Sequence, residues 1–266
     1  MRFSLNENPV SSPPTSATSL YLDLLKKSLT DTLHAAEPDV DAGHARFVLN
    51  FLNHYIRGPA VTMLPRARLD QLQTCIEDVL RREVPGDLLE AGVWRGGATI
   101  FMRAVLKAHG VTNRQVWAAD SFEGLPEPDA KRFPKEAAVY HGPVMRDAFQ
   151  RLAVNLDTVK ANFQRYDLYD EQVRFLPGWF EDTLPQAPID RLAVLRLDAD
   201  YYASTLDCLT HLYDRLSPGG YLIVDDYGED EWTDCRKAVD HFRSTRGITD
   251  TMVQVDRRCW YWQRAR

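Results

Sequence analysis

The 266-residue chain has few cysteines: Cys75, Cys208, Cys235 and Cys259, with no paired spacing between them. That scatter excludes a zinc ribbon or a redox pair and reads as reduced, buried thiols. No apolar run approaches the roughly 20 residues needed to cross a bilayer. The opening stretch MRFSLNENPVSSPPTS also lacks the apolar centre of a secretion signal. The expectation is a cytoplasmic protein with no membrane partner. Positive charge is short as well: 32 Lys and Arg face 38 Asp and Glu, a net charge of -6. Nucleic acid is therefore not expected as the main partner, because phosphate binding needs clustered cations in excess. The G-x-G-x-x-G of dinucleotide binders is absent too, which disfavours a nicotinamide oxidoreductase.

What is present is an ordinary globular composition, 44% hydrophobic and 26% charged, enough for one large domain with an added layer. Residues 1–18, rich in Ser, Pro, Thr and Asn, read as a flexible tail. Leu22, Leu25, Leu29 and Leu33 then recur at helical spacing with Ser19 placed to cap, so residues 19–85 form an N-terminal helical layer or lid. From residue 86 to 266, apolar runs alternate with helical patterns. DLLEAGV, QVWAADSF, VRFLPGW, LAVLRLDAD and YLIVDDYG are strands; helices fall near 99–109, within 147–165, at 203–216 and at 232–245. This is the pattern of an α/β fold with a mostly parallel, doubly wound sheet. TDTMVQVD and RCWYWQRA lie so close in sequence that they should close the sheet as an antiparallel hairpin.

Ligands of such sheets bind beyond the carboxyl ends of the strands. The first strand runs into EAGVWRGGAT, which offers Glu90, Gly92, Val93, Trp94, Arg95 and Gly96 to a cofactor. A pyrophosphate would meet the repelling carboxylate of Glu90, whereas an amino-acid ammonium would be favoured there. Asp120, with Ser121 beside it, ends the second strand, where an acid can accept hydrogen bonds from two ribose hydroxyls. Together these describe S-adenosylmethionine better than a dinucleotide. In FLPGWFEDTLP, Gly178 allows close backbone approach while Trp179 and Phe180 can flank an adenine face.

Asp198 ends one strand and Asp225 and Asp226 end the next. Parallel neighbours bring such ends to one edge. Three carboxylates without His or Cys form an oxygen site for a hard cation, and Mg2+ is the natural occupant. Beside a methyl donor, that ion can hold and acidify a substrate hydroxyl while Asp198 serves as general base. Asp200 falls on the opposite face if strand alternation persists, so it is not expected as a ligand. The long connection from Glu127 to Val144 reads as a lid, with Tyr140 and His141 facing solvent.

At SLYLDLLK, TMLPRARLDQLQ, PGDLLEAGVWRGGATIFMRAVLKA, VWAADSFEGLP, QVRFLPGWFEDTLP, RLAVLRLDADYYASTLDCLTHLYDRLSPGGYLIVDDYG and the terminal YW, the sequence resembles the macrocin O-methyltransferase family of antibiotic sugar methylating enzymes. The resemblance implies a class I methyltransferase (Rossmann-like) fold, S-adenosylmethionine, Mg2+ on Asp198, Asp225 and Asp226, and Asp198 as base. It further implies a homo-oligomer, and Thr62 and Met63 at the mouth where cofactor and substrate meet. The expected reaction is O-methylation of a deoxysugar on a glycosylated small molecule. A metal-dependent methyltransferase acting on a catechol-like phenol is the alternative, and a non-catalytic binding module would have lost one of the metal carboxylates.

Overall fold

The computed structural model describes residues 16–34, 36, 51–143, 146–228 and 234–265. Most of the expected tail, residues 1–15, lies outside them. The first helix, α1 (Ala17–Leu29), is capped by Ser16, whose hydroxyl accepts the Ser19 N–H at 3.1 Å. The cap is thus three residues earlier than expected, and Ser19 sits in the first turn. Leu22, Leu25 and Leu29 are buried, but Leu33 lies past the helix end and is exposed. Among the described residues that follow lie a π-helical turn (Phe51–Ile56) and α2 (Arg66–Arg81).

The sheet consists of β1 (Asp87–Ala91), β2 (Val116–Asp120), β3 (Val173–Pro177), β4 (Leu192–Leu197), β5 (Leu216–Val224), β6 (Val253–Gln254) and β7 (Trp260–Gln263). Its order is β3-β2-β1-β4-β5-β7-β6. The first five strands run parallel; β7 pairs antiparallel with β5 and β6 with β7. This is the expected mostly parallel sheet with a terminal hairpin.

Between the strands lie α3 (Gly97–Ala108), α4 (Pro134–Tyr140), α5 (Arg146–Leu152), α6 (Leu156–Arg165), a short α7 (Phe180–Thr183), α8 (Tyr202–Leu212) and α9 (Cys235–Arg246). The stretch expected as a single helix within 147–165 is two, because Asn155 starts a new one by accepting the Thr158 N–H at 2.8 Å. Helix α4 was not expected. Alternate residues of β1 and β2 enter different cores: Leu88, Val116 and Ala118 pack under α1, α2 and α3, while Leu89, Ala91 and Trp117 face the α8 and α9 side. Burial on both faces explains why these strands are nearly continuous apolar runs. All four cysteines are free and buried.

Candidate active site

The turn after β1 is built on Gly92. Its φ is +84°, and a Cβ there would lie 1.9 Å from the Asp198 carbonyl oxygen. Only glycine lets this loop cross the end of β4 so closely. The loop is then fastened to β2 through Asp120, whose Oδ2 accepts the Val93 and Trp94 N–H groups at 2.7 and 3.4 Å. Its Oδ1 accepts the Phe122 N–H at 2.7 Å. Burial raises the Asp120 carboxyl above its usual range and these amides pull it back. Arg95 turns the other way: its guanidinium donates to the carbonyls of Ile56, Gly58 and Ala60 and lies 4.2 Å over the Trp94 ring. It locks the N-terminal layer onto the loop. Gly96 begins α3 in the left-handed region.

A cavity of about 290 Å³ opens above these strand ends. Eight of the residues singled out in the sequence line it: Met63, Gly92, Trp94, Asp120 and Ser121, joined by Trp179, Phe180 and Asp198. Val93, Arg95, Gly96 and Gly178 shape the loops behind the wall. Thr62 does likewise; it is buried and its hydroxyl accepts the Leu64 N–H at 3.1 Å.

Glu90 departs from expectation. It is 2% exposed, does not line the cavity, and is held by the Thr99 hydroxyl and by Arg196 Nη1 at 2.5 Å. Strand pleat is the reason: Glu90 shares a face with Leu88, under α3, so its carboxylate serves an internal ion pair rather than an open surface. Burial pushes it up to about 7, against the pull of Arg196 and Thr99.

The carboxylates that end β4 and β5 do share one edge, with a buried guanidinium among them. Arg196 Nη2 lies 3.2 Å from Asp198 Oδ2 and 2.8 Å from Asp225 Oδ1. A second arginine, Arg68 of α2, donates to Asp225 Oδ2 at 2.6 Å. These two cations keep the Asp225 carboxyl below its usual range in spite of burial. Asp198, half-buried at the cavity wall beside Asp225, rises to about 6 through desolvation, although Arg196 pulls it down. Asp226 is pushed well up, by burial first and then by Asp200, Asp198 and Asp225.

Asp200 is the second departure: β4 ends at Leu197 and Asp200 has a φ of +55°, so alternation stops and it lines the cavity with Asp198. Among the described residues, no group of three or more His, Cys, Asp or Glu side chains is already arranged to hold a metal ion. The donor set nevertheless suits a hard cation. Asp226 Oδ2 is a buried oxygen with no hydrogen bond, Asp225 Oδ1 has the Arg196 ion pair but no hydrogen bond, and carboxylates outnumber the two arginines, a balance that a divalent cation would redress.

Arg68, Arg196 and Glu136 were missed in the sequence. Glu136, on α4, is 1% exposed, lines the cavity, and accepts the Tyr202 and Asp234 N–H groups at 2.9 and 3.0 Å. It thereby ties α4 to the starts of α8 and α9. No sequence signal marks it, since its partners are 66 and 98 residues away. Tyr140 stacks on Phe149, and exposed His141 lies 3.3 Å from Glu127; neither lines the cavity.

Comparison with known proteins agrees with this fold. The sequence pattern of the family described as Macrocin-O-methyltransferase (TylF) matches residues 56–264. A relative from Streptomyces olivaceus, 8-demethyl-8-(2,3-dimethoxy-alpha-L-rhamnosyl)-tetracenomycin-C 4'-O-methyltransferase, is 49% identical over 93% of each chain. Mycinamicin III 3''-O-methyltransferase of Micromonospora griseorubida is 46% identical over 95% of this chain and 99% of its own. The solved structure of the O-methyltransferase NovP, 46% identical, superposes with a TM-score of 0.80 over 94% of this chain and all of that one. Calicheamicin methyltransferase CalS11, 18% identical with a TM-score of 0.55, shares the fold. On these grounds the chain belongs to the macrocin O-methyltransferase family and is an O-methyltransferase with a class I methyltransferase fold.

Proposed function

We propose that the chain methylates a hydroxyl of a deoxysugar on a glycosylated secondary metabolite, using S-adenosylmethionine and Mg2+. The observation that carries this reading is the meeting of Asp120, Trp179 and Asp198 in one strand-end cavity. Support comes from relatives whose names specify methylation of a rhamnosyl tetracenomycin and of mycinamicin III. S-adenosylmethionine supplies an electrophilic methyl group when bound, and Mg2+ makes a coordinated hydroxyl more acidic.

The chain's own residues have distinct tasks in this reading. Asp120 accepts from the ribose hydroxyls, with its carboxylate pre-oriented by loop amides. Trp179 and Phe180 wall the adenine. Asp198, Asp225 and Asp226 hold Mg2+, and the Asp198 carboxylate takes the proton of the acceptor hydroxyl. Positioning and charge neutralisation then supply most of the rate. The same reading makes residues 19–85 a layer over the active site of a homo-oligomer.

The test incubates the purified chain with S-adenosylmethionine, Mg2+ and 8-demethyl-8-(2,3-dimethoxy-α-L-rhamnosyl)-tetracenomycin C. A product heavier by one CH2, dependent on Mg2+ and absent with a catechol acceptor, is expected. Failure to bind S-adenosylhomocysteine in calorimetry would overturn the cofactor assignment. Methylation of the catechol instead would favour the phenol reading.

A further inference from the structure

We propose that Arg68 and Asp256 are positioning residues that aim the Asp225 carboxylate at the candidate metal position. The inference rests on the Mg2+ reading above. Arg68 lies in α2 of the N-terminal layer and is 8% exposed. One edge of its guanidinium donates from Nε and Nη2 to the two oxygens of Asp256, at 2.6 and 3.1 Å. Its remaining nitrogen, Nη1, donates to Asp225 Oδ2 at 2.6 Å.

Asp256 is itself anchored, since its Oδ1 also accepts the Arg258 and Cys259 N–H groups at 2.9 and 2.8 Å in the turn between β6 and β7. The chain of contacts thus runs from the terminal hairpin through a planar fork to the end of β5. A fork bound on one side by two bonds has little rotational freedom left. Because Arg68 takes Oδ2, Asp225 turns Oδ1 toward Arg196 Nη2, 2.8 Å away but without a hydrogen bond, the same nitrogen that lies 3.2 Å from Asp198 Oδ2. Arg68 therefore acts through Asp225, by orientation rather than by contact with the reacting atoms.

Arg82 gives a matched control. It follows α2, donates to the Gly219 carbonyl at 2.7 Å and lies 5.9 Å over the Tyr221 ring. It docks the same helix on the same strand, away from Asp225.

The experiment titrates the metal-stripped 266-residue chain with Mn2+, read as free Mn2+ by electron paramagnetic resonance, and separately with S-adenosylhomocysteine by calorimetry. Wild type is compared with Arg68→Gln, Asp256→Asn, their double variant and Arg82→Gln, each checked for a cooperative unfolding transition. The Mn2+ Kd should rise at least about tenfold in Arg68→Gln and several-fold in Asp256→Asn. The double variant should be no worse than Arg68→Gln, because both changes break one chain of contacts. Arg82→Gln should leave Mn2+ binding unchanged, and the S-adenosylhomocysteine Kd should stay within about twofold throughout.

Unchanged or tighter Mn2+ binding in both single variants would overturn the proposal, tighter binding meaning that Arg68 competes with the ion. An equal loss in Arg82→Gln would reduce Arg68 to a docking contact and overturn it too. If Arg68→Gln does not fold, Asp256→Asn decides. A wild-type protein that binds no Mn2+ would remove the metal reading and this proposal with it, an outcome distinct from loss of the positioning role alone.

Discussion

Two halves of the sheet edge hold their aspartates differently. At the β1–β2 half, Asp120 is held mainly by backbone N–H groups; at the β4–β5 half, Asp225 is held by guanidinium groups of Arg68 and Arg196. Amides carry only partial charge, so burial still dominates and the Asp120 carboxyl is raised. Full charges win against the same burial, and Asp225 is lowered. A neutral cradle suits hydrogen bonding to hydroxyls, while a charged one keeps Asp225 ionised.

The comparison breaks most completely at Asp198, which follows β4 beside the β1 loop. Asp198→Asn should cut methyl transfer by at least about 10³-fold, within the usual range for a lost general base, with S-adenosylhomocysteine affinity kept within a few-fold. Turnover near wild type would remove Asp198 from the chemistry. Arg196→Met should cost about 3–5 kcal/mol of stability in denaturant unfolding, since it leaves Glu90 and its neighbours as buried charges without their partner. A loss below about 1 kcal/mol would show that the network relaxes freely.

On the neutral half, Asp120→Asn should weaken S-adenosylhomocysteine binding by about tenfold, roughly what 1.4 kcal/mol amounts to, and leave Mn2+ binding untouched. Weakened Mn2+ binding would show that the halves are not separable.

The smallest effect is one of pH. The Glu90 carboxyl stands near 7 in the folded chain against an ordinary 4.5. Between these values the folded chain holds the extra proton, so this group's favourable contribution is full below pH 4.5 and is lost as pH rises through 7. Glu90→Gln should therefore lose less stability than wild type between pH 5 and pH 7.5. Equal slopes would count against the shift.

Much of this edge was legible in the sequence because strand ends announce themselves. An apolar run that breaks into Asp198, or into Asp225 and Asp226, marks where a parallel strand leaves its sheet, and Gly92 marks a turn that no side chain permits. Reading failed wherever a neighbouring element intervened. Glu90 stands in a strand-end motif yet points into an ion pair, because the pleat and Arg196 decide its face. Asp200 escaped for the opposite reason: its left-handed backbone ends the alternation that would have turned it away.

The sequence by itself determined the succession of strands, the terminal hairpin and the candidate carboxylates, because hydrophobic periodicity and glycine placement are local properties. Tertiary structure alone decided which of those carboxylates face the cavity and which are neutralised. Arg68 meets Asp225 across 157 residues, and Arg196 meets Glu90 across 106. Charge pairing acts between groups that folding brings together, and no local spacing in the chain encodes such distances.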